Sequence, residues 1–168
     1  MNPTATKRVS TGVELISATT PEHIEEVRRL FQEYGASLGF SLCFQSFEQE
    51  LAELPGKYAP PSGRLLLARN NGNAGFAGCV ALRKLESEIC EMKRLYVAPA
   101  FRGHKIGELL ADAIIAEARG IGYKRMRLDT VPGVMDRAIA MYRTRGFREI
   151  PPYTNNPVPG AIFLELEL

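Results

Sequence analysis

The stretch from Glu88 to Thr130 constrains this chain most. It opens with an apolar strand pattern ending at Val97, turns at Pro99 into the basic, glycine-bearing loop FRGHKIG, and continues as a helix. A strand, a turn and a helix in that order leave free backbone N–H groups at the helix start, with Arg102 and Lys105 beside them. A helix end of this kind is positive and suits a phosphorylated ligand. The bland reading is a helix N-terminus with ordinary surface basic residues. Neither GxxxxGK[ST] nor GxGxxG is present, so a P-loop is excluded and a Rossmann dinucleotide site is disfavoured.

Around this stretch the apolar periodicities alternate between strand and helix. Val13 to Ala18 reads as a first strand. Thr19 or Thr20 caps a helix with Pro21 in its first turn and Ile24, Val27, Leu30, Phe31 and Tyr34 on one face, broken by Gly35 and Gly39. A second helix covers Phe47 to Leu54. Leu65 to Arg69 and Gly75 to Leu82 form a hairpin across the turn NNGN, and Ile89 to Val97 is the third strand of that run. The main helix spans Lys105 to Arg119 and is stopped by Gly120 and Gly122. Arg125 to Asp129 is a strand, and Asp136 caps a helix reaching Arg145. Phe147 to Ile150 and Ala161 to Leu168 close the pattern as strands. The order β-α-α-β-β-β-α-β-α-β-β indicates one mixed α/β domain over 12–168, preceded by a polar, frayed segment 1–11.

Composition narrows the class. At 168 residues, with 45% hydrophobic and 24% charged, the chain fits a single globular domain with a real core. A net charge of +2 argues against a dedicated nucleic-acid binder. No apolar run reaches the roughly 20 residues that span a bilayer, and the first residues lack a signal-peptide core, so a cytoplasmic address is the default expectation. Cys43, Cys79 and Cys90 read as reduced thiols without CxxC spacing, and with only His23 and His104 no metal site is expected.

Three features together resemble the GCN5-related N-acetyltransferase (GNAT) superfamily: the strand-turn-helix RLYVAPAFRGHKIG, the segment AIAMYRTRGF, and the element order over nearly the whole chain. The resemblance implies a GNAT fold, a mixed and mostly antiparallel sheet flanked by helices, with acetyl-CoA as co-substrate. The family loop is Arg/Gln-x-x-Gly-x-Gly/Ala. Arg102 and Gly107 hold its ends, Lys105 replaces the middle glycine, and an extra glycine stands at 103. The N–H groups of Arg102, Gly103, His104, Lys105, Ile106 and Gly107 would hold the pyrophosphate, with the Lys105 side chain outward. Leu95, Tyr96 and Val97 would pair with the pantetheine arm and offer N–H groups to the oxyanion.

Acetyl transfer to an amine needs a base, because an alkyl amine of pKa about 10.4 is only about one part in 2,500 neutral at pH 7. By its place eleven residues before Arg102, Glu91 resembles the family's catalytic Glu and is the first candidate; Glu88 is the second. The competing reading of Glu91 is a salt-bridge partner of Lys93 or Arg94. Strand alternation puts Glu91, Lys93, Leu95 and Val97 on one face and Met92, Arg94 and Tyr96 on the other, unless a bulge shifts the parity. Tyr142 matches the family tyrosine facing the CoA sulfur, where a phenol can protonate the departing thiolate; the alternative is a packed core tyrosine. Met135 stands where the family often has a cofactor-contacting Asn, and Asp129 either faces the cleft or serves a turn.

For the acceptor, Phe40, Phe44 and Tyr153 are candidate apolar walls, Gln45, Asn155 and Asn156 polar contacts, and Glu86 and Glu88 attractors of a cationic amine. A small-molecule amine is the expectation, and a homodimer is compatible with the family. An acyl-CoA-binding sensor or subunit without acetylation activity is the alternative; retained Glu91 and Tyr142 favour the enzyme.

Overall fold

The computed structural model describes residues 7–9, 12–71 and 75–168. Eight strands form one sheet in the order β1-β2-β3-β4-β5-β6-β8-β7. They are β1 (Lys7–Val9), β2 (Val13–Ser17), β3 (Arg64–Asn70), β4 (Phe76–Glu86), β5 (Ile89–Val97), β6 (Arg125–Thr130), β7 (Arg148–Ile150) and β8 (Ile162–Glu167). Every neighbouring pair is antiparallel except β5–β6. The mixed α/β architecture agrees with the pattern read from the sequence. Lys7–Val9 adds an edge strand within the segment expected to fray; the rest of 1–11 and residues 72–73 of the NNGN turn lie outside the described residues.

Two apolar layers hold the helices to the sheet. On one face α3 (Ile106–Ile121) buries Ile106, Leu110, Ala111, Ile114, Ile115 and Ala118 against Val80, Leu82, Met92 and Met126, with Tyr142 of α4 (Asp136–Thr144) at the margin. On the other, α1 (Pro21–Ser37) and α2 (Phe47–Glu53) bury Val27, Leu30, Phe31 and Leu51 against Leu65, Leu67, Cys79 and Ala81. The Thr20 hydroxyl caps α1 by accepting from the N–H of His23 at 3.2 Å.

Local propensity yields to packing in two places. α1 continues through Gly35 to Ser37, although a glycine there was expected to break it. The Phe47 ring lies where a Cβ would stand on Gly35, 2.9 Å from its Cε1, so this glycine permits close approach of α2. Met135, not Asp136, is the N-cap of α4; the Asp136 carboxylate instead accepts from the N–H of Gly133 at 2.7 Å and ties the preceding turn.

The third departure shapes the site. Ala81 pairs with Lys93 and Cys79 with Tyr96, so β5 carries one more residue than β4 between those pairs. The extra residue is accommodated at Arg94, whose φ is 60°. This bulge reverses the alternation beyond Lys93. Leu95 and Val97 join Cys90 and Met92 on the α3 face, while Arg94 and Tyr96 face α1 and α2. The shared face expected for Glu91, Lys93, Leu95 and Val97 is therefore split.

Candidate active site

β5 and β6 run parallel only over Ile89–Arg125, Cys90–Met126 and Glu91–Arg127. Beyond Glu91 they part, and a cleft of about 720 Å³ opens between them. Its walls are Met92 to Val97 from β5, Leu128 to Val131 from β6 and the following segment, the start of α3, and α4 with the turn before it. It continues into Tyr34, Phe40, Leu42, Phe44 and Gln45 of α1 and the α1–α2 connection.

At the α3 end the backbone is prepared for an anion. Gly103 has φ 88°, Lys105 takes the left-handed conformation at φ 60°, and the helix has no side-chain cap. Its first-turn N–H groups thus have no intrahelical partner. The Lys105 side chain is exposed. Arg102, Gly103, Lys105 and Gly107 line the cleft. His104 is exposed outside it, and the Ile106 side chain is buried in the core, so each could contribute only its backbone. The Arg102 guanidinium donates from Nε to the carbonyl of Val97 at 3.1 Å and lies 6.0 Å from the Tyr96 ring, linking the loop to the bulged strand. Leu95, Tyr96 and Val97 all border the cleft.

Tyr142 reaches the cleft from α4, its ring 5.5 Å from that of Phe147. Burial holds its phenol well above the usual pKa, so the hydroxyl stays protonated at neutral pH. Met135 also lines the cleft, with the Thr130 hydroxyl 3.2 Å from its sulfur, so a thioether occupies the place of the family's usual Asn.

The acetyltransferase (GNAT) family profile matches residues 24–147, which contain the parted strands, the basic loop and Tyr142. The chain belongs to this family. A Schizosaccharomyces pombe protein described as an uncharacterized N-acetyltransferase is 37% identical over 158 residues, covering 94% of this chain and 96% of its own. A GNAT-family acetyltransferase structure from Staphylococcus aureus superposes with TM-score 0.73 at 21% identity, covering 92% of this chain and 98% of that one. A GNAT acetyltransferase structure from Elizabethkingia anophelis, with acetyl-CoA bound, has TM-score 0.63 at 22% identity, covering 94% and 99%. At those identities the two structures speak to the fold.

In this GNAT cleft Glu91 is not a wall residue. Its side chain is 1% exposed and accepts from Arg83 Nε at 2.7 Å and from the Tyr153 hydroxyl at 2.6 Å, with Lys93 Nζ at 3.7 Å. Burial alone would raise its pKa. The Lys93 and Arg83 charges and the bonds from Tyr153 and Arg83 reverse that and hold the carboxyl below its ordinary value. The Glu91 carboxylate is thus enclosed by Arg83, Tyr153 and Lys93 and does not border the cleft, which is the ion-paired arrangement weighed beside the base role. Glu88 and Glu86 are exposed outside the cleft, so the anticipated acidic attraction is not found there.

Cations stand instead where the cleft meets α1 and the α1–α2 connection. Arg94 is held by Glu50 at 2.9 Å and 3.2 Å and stacks near Phe47 and Tyr34. Lys93 is 8% exposed and donates to Gln45 Oε1 at 3.0 Å; burial lowers its pKa, opposed by Glu91. Asp129 faces the cleft from β6 and accepts from Asn156 Nδ2 at 2.9 Å. Phe40, Phe44, Gln45 and Asn156 line the cleft as expected, whereas Tyr153 and Asn155 do not. Among the described residues no group of three His, Cys, Asp or Glu side chains could hold a metal, and no helix is long and apolar enough to cross a membrane.

Proposed function

We propose that this GNAT protein transfers the acetyl group of acetyl-CoA to a primary amine of a small molecule. The observation that carries the reading is one continuous cleft, running from the free amides of α3, past Tyr142, to the enclosed end bearing Lys93, Asp129 and Asn156. The α3 amides, Arg102 and Lys105 suit the pyrophosphate of CoA. The unpaired edge of β5 at Leu95, Tyr96 and Val97 offers backbone groups to an extended pantetheine arm. The family membership and the acetyl-CoA in the Elizabethkingia relative support the donor.

When bound, acetyl-CoA supplies an activated thioester carbonyl. Backbone N–H groups of Leu95 to Val97 are the donors available to its oxygen. The Tyr142 hydroxyl, protonated and at the wall, delivers a proton to the departing sulfur. Asp129 is the carboxylate at the acceptor end and receives the amine proton directly or through water. Glu91 acts as a positioning residue. It holds Lys93 on β5 and Tyr153 of the β7–β8 connection in place.

The test is acetyl-CoA turnover against a broad amine panel, followed by thiol release. Saturable turnover that collapses in Tyr142→Phe supports the reading. The enclosure of Glu91 favours a second reading, an acyl-CoA-binding module. Saturable CoA binding with no turnover on the panel would establish that alternative.

A further inference from the structure

We infer that the acceptor is an amine that also carries a carboxylate, as a free amino acid does, and that Lys93 binds the carboxylate while Asp129 binds the ammonium. This rests on the reading of the cleft as an acetyl-transfer site, and concerns its far end. The parallel register of β5 and β6 ends at Glu91–Arg127. Lys93 and Asp129 each lie two residues further, so both project to the face that Glu91 and Arg127 occupy. Continued pairing would have made them neighbours. Because the strands part, they form no ion pair, and both line the cleft.

Lys93 is the cation of this end whose counter-ion is shared: Glu91 also serves Arg83, and the Asp129 charge acts on Lys93 without an ion pair. Arg94 is neutralised by Glu50 through two hydrogen bonds. Glu91 is the carboxylate nearest Lys93, but at 3.7 Å it is outside hydrogen-bond range and already receives Arg83 and Tyr153. The hydrogen bond Lys93 does make is to the neutral amide of Gln45. An ammonium has three donors, and one buried to 8% exposure needs further acceptors. A ligand carboxylate would satisfy it. Phe40, Leu42 and Phe44 lie along the same end and would receive an apolar side chain.

The experiment compares kcat/KM for L-phenylalanine, L-methionine and L-leucine with that for the decarboxylated amine of each. It uses the parent, Lys93→Met, and Gln45→Glu, which places an acid beside Lys93 without removing it. CoA binding on the same samples reports that each variant is folded. The parent should favour the amino acids by about 10- to 100-fold, the worth of a charge-assisted contact. In both variants that gap should shrink to within about threefold. If the parent prefers the decarboxylated amines, or the gap survives Lys93→Met, the assignment of Lys93 is overturned while acetyl transfer stands. If no amine is turned over, calorimetry of the three amino acids with CoA present decides. Lys93-dependent binding supports the carboxylate site and absence of binding overturns it, while acetyl transfer itself is decided by the broad amine panel.

Discussion

Replacing Glu91 by Gln separates holding from catalysis. The substitution keeps the size and removes the charge that Arg83 and Lys93 share. Lys93 is 8% exposed and Arg83 26% exposed, so two cations lose their counter-ion in a largely dry place. Breaking a buried pair by removing one partner costs about 3–5 kcal/mol, and partial exposure of Arg83 argues for the low end, about 3 kcal/mol. For a chain of this length that is a fall in Tm of roughly 6–12 °C at pH 7. The pH dependence has a fixed sign. The folded-state pKa of Glu91 is depressed, so its contribution is complete above its unfolded pKa of about 4.3 and is lost as pH falls through the folded value below that. The difference in Tm between parent and variant should therefore be full at neutral pH and shrink in strong acid. Thermal denaturation across pH, with acetyl-CoA turnover well below either Tm, measures both quantities. A positioning role predicts less than about tenfold loss of kcat, whereas loss of a general base predicts about 10²–10⁴. A variant with unchanged Tm and at least a hundredfold loss of turnover would refute the holding role and restore Glu91 as the base.

Tyr142→Phe should lower kcat by about 10²–10³ with CoA affinity little changed, read by thiol release and calorimetry; because burial raises the phenol pKa, the parent should show no fall in kcat from its ionisation between pH 7 and 10. Gly78→Ala would place a Cβ 2.5 Å from the Tyr96 carbonyl oxygen and 3.3 Å from Val97 Cα, so it should cost about 1–3 kcal/mol and weaken CoA binding by disturbing the bulge, measured by denaturation and titration. Arg102→Ala should raise the Kd for CoA about threefold to tenfold, with a smaller penalty at high salt because the side chain is exposed.

The elements nearest to one another in sequence were the most legible. The α3 face follows directly from Ile106, Leu110, Ile114 and Ala118 at helical spacing, and the Thr20 cap from one hydroxyl before Pro21. The basic loop and Tyr142 were found through motif context, and both border the cleft. The bulge at Arg94 was not fixed by local pattern, since nothing in EMKRLYV marks a positive φ and the cause is pairing with β4. Glu91 shows the limit most clearly. Spacing from Arg102 selected it, but its environment comes from Arg83 on the next strand and Tyr153 in a loop 62 residues away. Lys93 and Asp129 likewise gain meaning only once the strands are seen to separate.

The parting of β5 from β6 leaves two rows of backbone donors and acceptors open in the middle of a sheet. At an outer margin such rows would template pairing with another chain and invite aggregation. Here they are flanked by α3 on one side and by α1 and α2 on the other, in a gap whose neighbours are strands of the same sheet. A narrow, extended molecule can enter where a second protein cannot lie flat. The fold thus leaves an unfinished sheet edge open to an extended ligand while shielding it from edge-to-edge pairing with another sheet.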